Sequence, residues 1–175
     1  MKMADNPSSF GPTREELASS PIAFAPDLFK GKVALVSGAG SGIGLAIATL
    51  FARLGASLVI CGRDSEKLAS AADFLSGFGA EVTAVPMSIR DPEAVDRLID
   101  TASAGQGLDI LVNNAGGQFP QDALNISHKG WNAVVDTNLT GTWYMMQTAA
   151  RRWVEQGRQG TIVNFVADIW RGMPQ

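Results

Sequence analysis

The chain of 175 residues is 46% hydrophobic and 18% charged, and its 14 basic and 17 acidic side chains leave a net charge of -3. This is the composition of one soluble domain of ordinary size, and it excludes a disordered tail, a collagen and a disulfide scaffold. With Lys and Arg scattered along the chain there is no basic footprint for nucleic acid, and a single Cys61 with a single His128 cannot make an internal disulfide or a Cys/His zinc site.

Residues 1–28 hold four of the eight prolines and show no sustained period, which predicts a flexible N-terminal arm, mobile or draped over a neighbour. Asp5, Arg14, Glu15, Glu16 and Asp27 interrupt any apolar signal-peptide core, so the expected location is the cytoplasm. The folded domain is expected over 29–175. Val33–Ala52 is uncharged for twenty residues, enough on length to cross a bilayer. Its Gly38, Gly40, Gly42 and Gly44 divide it into a strand, a loop and a helix, so no membrane span is expected.

Five short apolar runs read as strands buried on both faces: Val33–Ser37, Ser57–Cys61, Glu81–Pro86, Asp109–Val112 and Thr161–Val166. Amphipathic stretches between them read as crossover helices. The first carries Ile43, Ile47, Leu50, Phe51 and Leu54 at helical spacing and stops at Gly55. The second is capped by Asp64 or Ser65 and buries Leu68, Ala71, Ala72 and Leu75; the third opens at Asp91-Pro92 and buries Val95, Leu98 and Ile99. A fourth, long helix runs from about Ser127 or Trp131 to Gln156 with a break near Gly141. Its apolar residues exceed one stripe, so a second side is expected to face a partner helix or subunit.

Ser37-Gly38-Ala39-Gly40-Ser41-Gly42-Ile43-Gly44 joins the first strand directly to the first helix. Glycines there permit positive φ and close backbone approach, so a pyrophosphate can rest on the amides at the positive end of the helix. No Gly-Lys-Ser/Thr follows, which excludes a nucleoside-triphosphate loop.

The spacing of Gly38, Gly42 and Gly44 resembles the Thr-Gly-x3-Gly-x-Gly motif of the short-chain dehydrogenase/reductase family, with Ser37 in the Thr position. Asn113-Asn114-Ala115-Gly116 and Asp136-Thr137-Asn138-Leu139-Thr140-Gly141 resemble two further marks of that family, in order, and the likeness runs from Lys32 to about Ala167. The resemblance implies an α/β Rossmann fold, a doubly wound parallel sheet of order 3-2-1-4-5, here incomplete after the fifth strand. It implies a nicotinamide dinucleotide held by Ser37, Gly38, Ser41, Gly42, Ile43, Gly44, Ser88, Ile89, Asn114, Ala115 and Gly116, and a catalytic Asn138 that orders a proton path. Homodimers or homotetramers built on the long helix are implied as well.

At the end of the second strand, Cys61-Gly62-Arg63 puts glycine where an acid would hold the ribose hydroxyls, and Arg63 can pair with a 2′-phosphate, which favours NADP(H) over NAD(H). Asp64, twenty residues after Gly44, is the alternative ribose acid. The family's Tyr-x3-Lys pair is absent: the only tyrosine is Tyr144, no lysine follows Lys129, and Ala167 stands near the expected Ser, beside Asp168. Gly116-Gly117-Gln118-Phe119, the Ile126–Trp131 run and the Asn138–Met145 run are similar to the branch of peroxisomal trans-2-enoyl-CoA reductase and 2,4-dienoyl-CoA reductases. The expected substrate is therefore a small molecule, an enoyl-CoA or a related carbonyl compound, in a longer natural protein. The alternative is an inactive dinucleotide-binding or oligomerisation module.

Overall fold

The computed structural model of the chain describes residues 11–119 and 121–167. Five parallel strands, β1 (Val33–Ser37), β2 (Ser57–Gly62), β3 (Val82–Pro86), β4 (Ile110–Asn113) and β5 (Thr161–Asn164), form one sheet of order β3-β2-β1-β4-β5. β1 lies at its centre, with Ala34 beside Leu58 on one side and Ile110 on the other. This is the expected Rossmann topology, in which the chain reverses its winding direction at β1 and leaves a crevice beyond the strands' carboxyl ends.

Alternation along β1 feeds two separate cores. Val33 and Leu35 point into one with Val59 and Cys61; Ala34 and Val36 point into the other with Leu58 and Ile60. The second core is closed by α2 (Gly42–Arg53) and α3 (Ser65–Ser76). The first is closed by α4 (Pro92–Ser103) and α6 (Thr142–Glu155), through Val95, Leu98, Ile99, Met145 and Ala149. Each such fully buried aliphatic side chain contributes roughly 1.5–3 kcal/mol, so strands buried on both faces must be apolar throughout.

Of the apolar residues read at helical spacing along α2, Leu54 is buried, and Ile47 and Phe51 pack against the second core from its margin. Leu45, Ala48, Thr49 and Ala52 meet the sheet, whereas Ile43 is 63% exposed and Ile47, Leu50 and Phe51 are half-buried. Small residues win the inner face because they let the helix lie close to the strands. The long helix also differs. α5 (His128–Val135) passes into a π-helical segment (Asp136–Gly141) and then α6, so the expected break at Gly141 is a change of winding without an interruption.

The segment expected to be an arm carries α1 (Arg14–Ser19). Thr13 and Glu16 form a reciprocal capping box, in which the Thr13 amide bonded to the Glu16 carboxylate holds that acid below its usual range. Arg53 at the end of α2 donates to the carbonyls of Leu17 (2.7 Å) and Ser20 (2.6 Å), which ties α1 to the same chain. At the amino ends of the strands, the Asp109 carboxylate accepts from the Val33 amide (2.9 Å) and pairs with Lys32 (3.0 Å) and Arg158 (3.4 Å). Among the described residues no helix is long and apolar enough to cross a membrane.

Candidate functional site

Sequence forces the turn between β1 and α2 to be made of glycine. Gly38 has φ +70°, and a Cβ there would lie 2.9 Å from the Asn114 amide nitrogen and 3.0 Å from Ala115 Cα. At Gly44 a Cβ would stand 2.3 Å from the Gly38 carbonyl oxygen, so α2 packs against the start of its own loop. Gly42 has φ +56° with open space around it.

Ser37 is fully buried, and its hydroxyl accepts from the amides of Asn114 (3.1 Å) and Ala115 (3.0 Å) while donating to Val112 O (3.4 Å). Its place is under the site, where it fastens β1 to β4, and it does not line the cleft as expected. Asn114 completes the fastening through Nδ2, which donates to the carbonyls of Ser37 (3.0 Å) and Gly38 (3.3 Å). The loop is thus held in shape by β4.

The start of α2 is chemically unusual in this molecule. Thr13, Asp64, Asp91 and Ser127 cap α1, α3, α4 and α5 through their own side chains. Ser41, the N-cap of α2, makes no such bond, and the first turn has no acid. The first amides of α2 therefore lack a side-chain acceptor and keep the positive end of the helix dipole available to an anion.

In front of this loop is a cleft of about 530 Å³, a size usual for small-molecule sites. Gly38, Gly40 and Ser41 form its floor; Cys61 to Asp64 with Lys67 and Leu68 form one wall, Met87 to Ile89 another, and Asn114 to Gly116 with Thr137 the inner end. Of the expected cofactor contacts, Gly38, Ser41, Arg63, Ser88, Ile89, Asn114, Ala115 and Gly116 line the cleft; Gly42, Ile43 and Gly44 shape the turn at its edge. Gly40, Lys67, Met87 and Thr137 are lining residues that motif reading did not single out.

Asp64 is committed as the cap of α3. One carboxylate oxygen accepts from the Lys67 amide (3.0 Å) and the other pairs with Lys67 Nζ (3.3 Å), and the amide bond foremost holds the acid below its usual range. Arg63 forms no ion pair among the described residues. Cys61, whose backbone anchors Gly38 (Gly38 N to Cys61 O, 2.8 Å), has its thiol buried, and burial pushes it up to about 12, so it is inert.

Asn138 sits in the π-helical segment, outside the cleft lining and beside Gly116. Its side chain clasps Gly117 from both sides, accepting from the amide (3.1 Å) and donating to the carbonyl (2.8 Å), with a further bond to Val134 O (2.9 Å). Tyr144 is half-buried and packed against the first core. Asp168 lies outside the described residues, and no cluster of metal-ligating side chains occurs among them.

A glycine turn, an uncapped helix start and a crevice at the reversal point of a parallel sheet define a dinucleotide-binding α/β domain. The chain belongs to the short chain dehydrogenase family, whose sequence pattern it matches over residues 32–169; the family binds a nicotinamide dinucleotide. Among relatives, a probable 2,4-dienoyl-CoA reductase [(2E)-enoyl-CoA-producing] of Bacillus subtilis is 36% identical over 137 residues, 78% of this chain and 54% of that protein. An uncharacterized oxidoreductase of Staphylococcus aureus is 39% identical over 78% of this chain and 58% of its own length. The solved citronellol catabolism dehydrogenase of Pseudomonas aeruginosa is 40% identical, with a TM-score of 0.78, covering 87% of this chain and 62% of that one. The chain thus spans little more than half the length of these relatives.

Proposed function

We propose that this chain is the cofactor-binding part of an NADP(H)-dependent oxidoreductase that reduces an enoyl-CoA thioester or a related carbonyl compound. The observation that carries the reading is the cleft itself, where uncapped amides of α2 face a wall bearing Arg63, with Asp64 engaged as the cap of α3. The reduced nicotinamide, when bound, supplies the hydride. The chain's own part is to hold the pyrophosphate at Gly38 to Gly44, the adenosine between Arg63 and Ile89, and the far end against Asn114 to Gly116. Asn138 orders the neighbouring Gly117 backbone, and so positions the loop on the substrate side. Likeness to the Bacillus subtilis protein supports the enoyl-CoA class.

A cytoplasmic homo-oligomer is part of the same reading. Trp131, Leu139, Trp143 and Val154 stand exposed along α5, the π-helical segment and α6, and such a stripe supports association through this helix. A second reading, a binding module that holds the nucleotide without turnover, rests on the same cleft.

Titration of the purified chain with NADPH and NADH tests the cofactor: tighter NADPH binding, lost in Arg63→Gln, is expected. Oxidation of NADPH by the full-length gene product with enoyl-CoA substrates tests the chemistry. Turnover by the 175-residue chain alone would exclude the binding-module reading, and no turnover by the full-length protein with any enoyl-CoA or carbonyl compound would exclude the reductase.

A further inference from the structure

α1 lies outside the family's sequence pattern, which begins at residue 32, and six residues are too few for a helix to stand alone. Contacts with two other helices hold it. Arg53, the last residue of α2, donates to the carbonyls of Leu17 (2.7 Å) and Ser20 (2.6 Å) at the end of α1. Arg14, the first residue of α1, donates to Ser70 Oγ (3.1 Å) on α3 and stands 5.2 Å from the centre of the Phe74 ring on the same helix. Leu17 packs against the second core. Further along, Phe29 meets the Phe51 ring at 4.9 Å and its amide donates to Leu54 O (2.9 Å).

The same two helices begin at the cleft. α2 starts from the phosphate loop and α3 starts in the wall that carries Lys67 and Leu68. A Cβ on Gly40 would lie 3.5 Å from Lys67 Cβ and 3.7 Å from Leu68 N, so loop and wall are in contact. α2 and α3 are therefore joined twice, at the cleft by the loop and away from it by α1. Helices transmit displacement as rigid elements, so a brace on their outer parts fixes how the loop stands against the wall.

We infer that residues 13–29 form a strap that sets the width of the nucleotide cleft, with Arg14 and Arg53 as its positioning residues. This rests on the cleft being the dinucleotide site, and is independent of the choice between NADP(H) and NAD(H). Loosening the strap frees α2 and α3 to shift against each other, and the loop amides and the opposite wall no longer grip one ligand together. Linkage makes the effect reciprocal: a nucleotide that draws loop and wall together also tightens the strap.

The test pairs fluorescence titration of the 175-residue chain with NADPH and NADH, in wild type, Arg14→Gln, Arg53→Gln and Arg53→Lys, with amide hydrogen exchange over residues 13–29 and far-UV circular dichroism. Arg53→Gln is expected to speed exchange in the strap, keep the circular dichroism spectrum and weaken both nucleotides alike, by about fivefold. Arg53→Lys keeps the charge but lacks the planar fork that reaches two carbonyls, so it restores only part of the loss. In wild type, saturating nucleotide should slow exchange in the strap. Arg14→Gln, at an exposed position, carries the same test if Arg53→Gln does not fold. A loosened strap that leaves both affinities unchanged, or strap exchange that ignores bound nucleotide, overturns the inference and leaves the cofactor reading standing. Full recovery in Arg53→Lys with the strap still loose assigns the effect to charge and overturns it as well. A wild-type preference for NADH removes the NADP(H) reading alone, and binding of neither nucleotide removes both.

Discussion

Asn138 and Gly117 exchange two hydrogen bonds across the gap between the long helix and the loop that follows β4, amide to side-chain oxygen at 3.1 Å and side-chain nitrogen to carbonyl at 2.8 Å. A side-chain amide is the one group that can mimic a backbone partner in this way. It sits where the helix widens to π winding, a feature often found at functional sites.

Replacing Asn138 separates its acceptor and donor roles. Asn138→Ala is expected to cost about 1–2 kcal/mol, since these bonds are largely solvent-exposed. Asn138→Asp keeps the acceptor for Gly117 N but presents an anion to the carbonyls of Gly117 and Val134. It should therefore be no more stable than the alanine variant at pH 7 and recover as pH falls and the carboxyl regains a proton. Urea denaturation at pH 7 and pH 4, with wild type alongside, checks this.

Two glycines of the phosphate loop should fail differently. At Gly44 an added methyl meets the Gly38 carbonyl, so Gly44→Ala is expected to cost about 2–3 kcal/mol and to lose nucleotide binding with it. At Gly42 the methyl meets nothing, and only the positive φ is penalised, by about 1 kcal/mol. Gly42→Ala should thus lose binding out of proportion to stability. Thermal denaturation paired with NADPH titration distinguishes the two.

The buried thiol gives a pH dependence of known sign. In the unfolded chain Cys61 ionises at its ordinary 9.0, and in the fold burial keeps it protonated up to about 12. The folded state binds the extra proton in that window, so this stabilisation is complete below pH 9 and declines as pH rises toward 12. Relative to Cys61→Ala, wild type should lose about 1.4 kcal/mol per pH unit above pH 9. Denaturation midpoints of both proteins at pH 8 and pH 10.5 measure it, and the thiol should resist alkylation at pH 8 until denaturant is added.

Trp153 and Gly160 report on the far side of the sheet. The indole Nε1 donates to Leu108 O at 2.7 Å in a buried setting, and a Cβ on Gly160 would fall 2.1 Å from the ring. Trp153→Phe leaves that carbonyl unpaired and is expected to cost about 1–3 kcal/mol. Gly160→Ala must push the ring out of its slot, which a shift in tryptophan emission and a lower Tm would record.

The proposed association would use the exposed stripe on the long helix. Trp143 and Leu139 are 51% and 69% exposed. Trp143→Lys with Leu139→Lys should convert a dimer or tetramer into a monomer in sedimentation, with the far-UV spectrum unchanged. A wild-type chain that sediments as a monomer at micromolar concentration would remove the proposal.

The sheet was legible because its strands are apolar runs; β1, β2 and β4 are buried on both faces as expected, whereas β3 is half-buried and β5 largely exposed, because each is an edge strand. Val33–Ser37 is recovered residue for residue, and the other four differ from expectation only near their ends. Asp64, one of two candidate caps, proves to be the cap of α3 because its side chain reaches the third amide. The inner face of α2 was legible only in part: Leu54 is buried, and Ile47 and Phe51 pack at the margin of the core. Alanine carries a weak hydrophobic signal, and the larger Ile43, Leu50 and Phe51 drew the expected stripe away from Leu45, Ala48 and Ala52. α1 buries none of its residues and so offers no period, while π winding leaves the apolar spacing close to that of an α-helix. Within the site, motif spacing located the loop, but Ser37 was misplaced because a motif records that a hydroxyl is needed without saying that a neighbouring strand uses it. Lys67 escaped because its place in the cleft lining depends on where α3 lies against Gly40, which no local pattern encodes.

Strand order has a consequence for how the chain is made. β1 pairs with β2 only some twenty residues later, but its other edge waits for β4, with Ala34 opposite Ile110. A ribosome releasing the chain from its amino end therefore exposes β1, β2 and β3 as a half-sheet whose innermost strand, Val-Ala-Leu-Val-Ser, has an unpaired edge until residues near 113 emerge. The strand most deeply buried in the finished molecule is for that interval the one most open to pairing with another chain.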